Sequence, residues 1–151
     1  FVCPTEILDF NRKLQQFKDR GAEVIGVSVD SKHSHLAWKN TKVKEGGIGD
    51  IQFPLVSDLT KEIARAYDVL ADGGMTYRGT FLIDREGVIR HLVVNEDGLG
   101  RNIDEELRTL DALKFHEEHG EVCPANWHAG DDAMAADRAG VARYLSKHEA
   151  A

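Results

Sequence analysis

The apolar residues of this chain change period repeatedly, and that alternation limits the folds open to it. Ile7, Phe10, Leu14 and Phe17 recur three and four residues apart, the spacing of one helix face. Gly21 ends that helix. Val24-Ile25-Gly26-Val27-Ser28-Val29 follows as a short apolar run, which reads as a buried strand. Ser31 to about Asn40 reads as a shorter helix. Residues 44–52 carry three glycines and form a loop. Phe53 to Ser57 is a strand candidate. Asp58 then opens a helix that turns Ile63, Ala66 and Tyr67 inward, with Thr60 a rival N-cap. After a glycine-rich turn at 71–75, Thr80–Asp84 and Val88–Val94 flank Arg85-Glu86-Gly87. That is a β-hairpin signal, with Gly87 supplying a positive φ. A long helix starts at Asn102 or Asp104, carries Ile103, Leu107, Leu110 and Leu113 on one stripe, and stops at Gly120. Helices and strands in this order specify an α/β fold.

Beyond Gly120 the character changes. Pro, Gly and Asp punctuate a tail that holds Cys123, Trp127 and a last helical stretch from about Ala139 to Lys147. We expect residues 1–120 to form the core and residues 121–151 an arm. An apolar arm bearing a tryptophan needs a surface to pack on.

The 151 residues carry a net charge of −7 and no long basic run, which argues against nucleic acid as a partner. No apolar stretch reaches the roughly 18 residues of a membrane span. Two cysteines are too few to staple a secreted scaffold of this length, and we expect a cytoplasmic protein. His33 with His35, and His116 with His119, are the closest approaches to metal-ligand spacing. Each lacks a clear third ligand, so no metal is expected, and no cofactor.

The chemistry concentrates at Cys3. It stands where the first helix begins, and Pro4 suits the first helical position because its fixed φ fits the helix and no N–H is wasted there. A thiol at a helix N-terminus faces unpaired backbone N–H groups and the positive end of the helix dipole. Both favour the thiolate, the form that acts as a nucleophile.

Phe1-Val2-Cys3-Pro4-Thr5-Glu6 resembles the peroxidatic-cysteine signature of the typical two-cysteine peroxiredoxins. Glu121-Val122-Cys123-Pro124-Ala125-Asn126-Trp127 resembles their resolving-cysteine signature. Between them, Tyr77-Arg78-Gly79-Thr80-Phe81-Leu82-Ile83-Asp84, His35-Leu36-Ala37-Trp38 and Gly98-Leu99-Gly100-Arg101-Asn102 are similar as well. The resemblance implies a thioredoxin-like fold with a C-terminal arm. It implies a thiol-dependent peroxidase that reduces hydrogen peroxide and organic hydroperoxides. Cys3 would attack the peroxide and become a sulfenic acid. Arg78 would stabilise the thiolate and polarise the peroxide with a permanently charged, planar fork of donors. Glu6 and Arg101 match positions that orient that arginine. Cys123, from a partner subunit, would close an intersubunit disulfide. Thioredoxin or a flavoprotein disulfide reductase would reopen it. The implied assembly is a homodimer, paired near Val88–Val94 and closing into a decamer.

The family's upstream Pro and Thr or Ser would lie before Phe1, as would the preceding strands. We therefore expect an N-terminal part beyond the residues given. Gly46-Gly47-Ile48-Gly49 and Tyr144-Leu145 are near-matches to a family pattern that slows disulfide closure, which implies intermediate sensitivity to over-oxidation. Two other readings share the fold. A thioredoxin-like disulfide reductase would need a Cys-x-x-Cys pair, and position 6 is Glu. A non-enzymatic holdase or redox-relay assembly is the alternative to the peroxidase, and Cys3→Ser separates the two.

Overall fold

The computed structural model describes residues 2–149. The chain divides into two compact units, Phe1–Ile103 and Asp104–Ala151. Phe1, the first residue of the Cys3 motif, lies outside the described residues.

In the first unit, helix α1 (Cys3–Arg12) and helix α2 (Leu14–Asp19) replace the one helix expected. Lys13 leaves helical geometry at φ −95°, ψ 2°. The kink lets Phe10 and Phe17 approach to 5.7 Å between ring centroids, and it buries Leu14 and Phe17. Gly21 ends the segment at φ +74°. The apolar run after it contributes only a short strand, β1 (Gly26–Ser28). Ser31 caps helix α3 (Lys32–Asn40), its hydroxyl accepting from the Ser34 N–H at 3.1 Å. A single 3-10 turn, Val43–Glu45, follows, then strand β2 (Leu55–Ser57).

Strands β1 and β2 pair in parallel, Gly26 with Leu55 through Ser28 with Ser57. β1 has no other partner among the described residues. Its other edge is unpaired among those residues; Ile25 and Val27 are exposed, whereas Val29 is buried. That corrects the expectation of a buried strand. The main core belongs to this unit. Leu14, Ile48, Ile51 and Phe53 form it, with Ile7, Phe10, Val24, Trp38 and Leu55 packed against them.

Helix α4 (Glu62–Ala66) begins later than Asp58. Asp58 still serves its start, because its buried carboxylate accepts from the Ile63 and Ala64 N–H groups at 3.1 and 2.7 Å. Lys61, in the left-handed region at φ +64°, absorbs the turn between them. Ala64 is buried while Ile63, Ala66 and Tyr67 are exposed, which corrects the inward face expected for them. Strands β3 (Arg78–Ile83) and β4 (Ile89–Asn95) form the expected antiparallel hairpin. Gly87 sits at φ +82°, and the Asp84 carboxylate accepts from the Glu86 and Val88 N–H groups.

Helix α5 (Ile103–His119) runs into the second unit and stops at Gly120, φ +70°. Val122 and Met134 exchange both backbone hydrogen bonds, closing the loop that holds Cys123. Helix α6 (Arg138–His148) is capped by the Asp137 carboxylate on the Gly140 N–H at 2.6 Å. No helix of the described residues is long and apolar enough to cross a membrane.

The loop before Ile51 is tightly packed. A Cβ on Gly47 would stand 1.9 Å from the Thr41 carbonyl oxygen, whereas one on Gly73 would meet nothing within 4 Å. Gly47→Ala should lower the unfolding free energy by about 1–3 kcal/mol. Gly73→Ala should stay within about 0.5 kcal/mol of the parent. Urea denaturation midpoints of the two variants check the contrast.

Candidate functional site

Cys3 is the first residue of α1, with Val2 as N-cap. No side chain caps this helix; the Thr5 N–H and hydroxyl both donate to the Val2 carbonyl, at 3.0 and 2.7 Å. Pro4 occupies the next position, where a missing N–H costs nothing. One turn further on, Glu6 faces the same way as Cys3 and is only 3% exposed. A buried carboxylate must be paired, and this one is held by two arginines.

Arg101 grips Glu6 from the segment after the hairpin. Its backbone N–H and Nε donate to Oε1 at 2.8 and 3.0 Å, and Nη2 donates to Oε2 at 3.0 Å. Its Nη1 donates to the Gly79 carbonyl at 2.6 Å and to Thr80 Oγ1 at 3.2 Å, which ties Arg101 to β3. Arg78, at the start of β3, donates from Nη1 to Glu6 Oε2 at 3.0 Å and to Cys3 Sγ at 3.2 Å. Its Nε donates to the Asp97 carbonyl at 2.7 Å. Arg78 is thus held from two sides, with one nitrogen directed at the sulfur.

The charges explain one another. Burial works to raise the Glu6 pKa, but the Arg101 hydrogen bonds and the two guanidinium charges outweigh it and hold the carboxyl below its ordinary value. For Arg78, burial opposes the charge, while Cys3 and then Glu6 more than offset it and raise its pKa. The result is an ionised Glu6 between two arginines, with the sulfur of Cys3 on the edge of the cluster.

Cys3, Glu6, Arg78 and Arg101 are therefore brought together. Cys123 belongs to the second unit, and both cysteines are free thiols, half-buried. Burial pushes the Cys123 thiol up, and the Arg108 charge opposes that. Arg108 takes Glu105 in a two-pronged contact at 2.6 and 2.7 Å, and its Nη1 donates to the Trp127 carbonyl at 2.8 Å. Trp127 is buried on Phe115, ring centroids 5.0 Å apart, and its Nε1 donates to the Asp131 carbonyl. The Trp127 side chain is thus a packing residue, as is Trp38, which lies against the main core.

Sequence reasoning missed two supports. The Asp97 carbonyl is one, and a backbone oxygen leaves no side-chain signature. Arg108 is the other. Its i, i−3 spacing from Glu105 reads as an ordinary helix-surface pair and does not show its bond to Trp127.

A thiol at a helix N-terminus, faced by an arginine that a buried carboxylate orients, is the arrangement of a cysteine-based redox site on an α/β frame. Comparison with known proteins agrees with that class. The AhpC/TSA family profile matches residues 1–92, and the profile of the C-terminal domain of 1-Cys peroxiredoxin matches residues 112–147. Alkyl hydroperoxide reductase C of Helicobacter pylori is 54% identical over 148 residues, covering 98% of this chain and 75% of that protein. Peroxiredoxin tpx1 of Schizosaccharomyces pombe is 51% identical, covering 98% and 77%. The reduced 2-Cys peroxiredoxin of Plasmodium vivax superposes with a TM-score of 0.95 at 49% identity, covering 97% of this chain and 76% of that one. The chain belongs to the AhpC/TSA family, the peroxiredoxins, and its fold is thioredoxin-like. It spans about three quarters of the length of these relatives.

Glu6→Gln should destabilise the protein at pH 7 by on the order of 3 kcal/mol, because two half-buried arginines lose their buried counter-charge. The folded-state pKa of Glu6 is depressed. Its contribution is therefore complete above the ordinary glutamate value of 4.5 and fades as pH falls below it. The stability gap between parent and Glu6→Gln should shrink as pH drops through that range, measured by urea unfolding at stepped pH. A gap that stays constant to pH 3 would count against the pairing.

Proposed function

We propose that this peroxiredoxin works as a thiol-dependent peroxidase through Cys3, with Arg78 as its electrostatic partner and Cys123 as the resolving thiol. The observation that carries this reading is the Arg78 guanidinium, 3.2 Å from the Cys3 sulfur and 3.0 Å from Glu6. A fixed positive charge there stabilises the thiolate and meets the charge that develops on the peroxide oxygens.

The Cys3 thiolate attacks the terminal oxygen of the peroxide, and the O–O bond breaks. Cys3 becomes a sulfenic acid, and the departing oxyanion takes a proton to leave as water or an alcohol. Arg78 Nη1 is already engaged by sulfur and carboxylate, and Nε by Asp97. Nη2 is the donor left for a peroxide oxygen. The Cys123 sulfur then attacks the sulfenic sulfur, water leaves, and a disulfide forms. A dithiol donor, either thioredoxin or a flavoprotein disulfide reductase, supplies two electrons to reopen it.

The disulfide in this reading joins two subunits, with residues 121–151 acting as an arm on a core that runs to residue 120. The pairing edge is β4, which is hydrogen-bonded only to β3 among the described residues. It carries exposed Ile89, Leu92 and Val94, with Val88 beside them. Five such dimers close into a decamer, and the protein resides in the cytoplasm. The reading extends to intermediate sensitivity to over-oxidation. The Gly46–Gly49 loop is well anchored, its Gly47 and Ile48 N–H groups bonded to the Lys42 and Trp38 carbonyls. In α6, Leu145 next to Tyr144 stays exposed.

Non-reducing electrophoresis after one equivalent of peroxide tests the scheme. The parent should run as a disulfide-linked dimer. Cys123→Ser should stay monomeric yet still consume that equivalent, and Cys3→Ser should do neither. A crosslink that persists in Cys3→Ser, or one within a single chain, would contradict it.

A further inference from the structure

Arg78 and Asn95 are register partners at the open end of the hairpin. After Asn95 the chain leaves β4, and residues 96–101 must place two groups accurately. The Asp97 carbonyl accepts the Arg78 Nε, and Arg101 reaches Glu6. A six-residue connector containing two glycines has many conformations available, so its geometry has to be imposed. Part of the constraint is local. The Leu99 N–H donates to the Glu96 carbonyl at 3.0 Å, and the Gly98 N–H donates to Glu96 Oε2 at 2.9 Å. The remainder comes from Asn95. Its half-buried side-chain Nδ2 donates to the Leu99 carbonyl at 3.1 Å and reaches the Gly100 carbonyl at 3.4 Å.

We propose that Asn95 is a positioning residue for the Cys3 reaction: its amide closes the 96–100 turn and so sets the Asp97 carbonyl that aims Arg78 at the sulfur. The inference rests on the reading of Cys3 and Arg78 given above. The chain of contacts is continuous. Asn95 fixes the far end of the turn, the turn presents the Asp97 oxygen, and that oxygen holds Nε. With Nε held, rotation of the guanidinium about its last side-chain bonds is blocked, and Nη1 stays between Glu6 and Cys3. Glu6 alone would leave the fork free to pivot about a single contact. Only an amide of this length supplies a donor here. An aspartate keeps the shape but presents an oxygen to two carbonyls, and an alanine removes the contact.

The test compares Asn95→Asp and Asn95→Ala with the parent and with Arg78→Lys, in the full chain. Two quantities are read. One is the rate of the first oxidation by hydrogen peroxide, followed by stopped-flow. The other is the pH profile of Cys3 alkylation by iodoacetamide in a Cys123→Ser background. Small misplacement of a reacting group costs up to about 100-fold, so both Asn95 variants should oxidise about 10- to 100-fold more slowly. The midpoint of their alkylation profile should move to higher pH, in the same direction as for Arg78→Lys. A purely structural role for Asn95 would lower the unfolding midpoint and leave that profile in place, which would overturn the proposal. So would parent-like rates in both Asn95 variants alongside a slow Arg78→Lys. If Arg78→Lys itself matches the parent in both readouts, the underlying role of Arg78 fails, and the proposal with it. Asn95→Asp conserves volume, so it serves as the measurement should Asn95→Ala fold poorly.

Discussion

The first unit is organised around one buried carboxylate. Glu6 accepts from Arg78 and three times from Arg101, which come from the first strand of the hairpin and from the segment after its second strand. Removing a carboxylate from water is costly unless it is paired and hydrogen-bonded. That cost makes the arrangement specific. Helix α1, β3 and the segment at Arg101 satisfy Glu6 only when all three are in place. Cys3, three residues earlier on the same helix, is thereby set beside Arg78 without any device of its own. The electrostatics of the sulfur are a by-product of burying its neighbour.

The same logic runs at smaller scale in the second unit. Arg108 is paired with Glu105 and bonded to the Trp127 carbonyl, and Trp127 is buried on Phe115. The turn carrying Cys123 is thus fastened on both sides, by the Val122–Met134 bridge and by Trp127. In both units an arginine joined to a carboxylate also holds the backbone or side chain next to a cysteine. The difference is direction. Arg78 donates to the sulfur itself, whereas Arg108 acts on Cys123 only through its charge and through the turn.

Much of the fold was legible because punctuation residues carry their geometry with them. Gly21, Gly87 and Gly120 all sit at positive φ where a helix or hairpin had to end, and Ser31 caps the helix it precedes. What was not legible depends on partners. The run Val24–Val29 has the composition of a buried strand, yet the strand itself is Gly26–Ser28, and Ile25 and Val27 are exposed. The kink at Lys13 leaves no mark in the apolar spacing of Ile7 to Phe17, which either geometry satisfies. Asp58 was recognised as a cap, but its target lies five and six residues on, beyond the reach of a local rule. At the site, the positions of Glu6, Arg78 and Arg101 were readable only through resemblance, since they are 72 and 95 residues apart in the chain. The Asp97 carbonyl and the Asn95 amide needed coordinates.

All of this converges on one atom pair, Arg78 Nη1 and Cys3 Sγ. Its direct test is the stopped-flow rate of the first oxidation of Arg78→Met, which keeps the length of the side chain and removes its charge and donors. Deleting a preorganised donor to a developing oxyanion costs about 100- to 1,000-fold. A fall of that size, with Cys3 still the oxidised residue by mass spectrometry, is the result the structure requires. A rate within about twofold of the parent would contradict it.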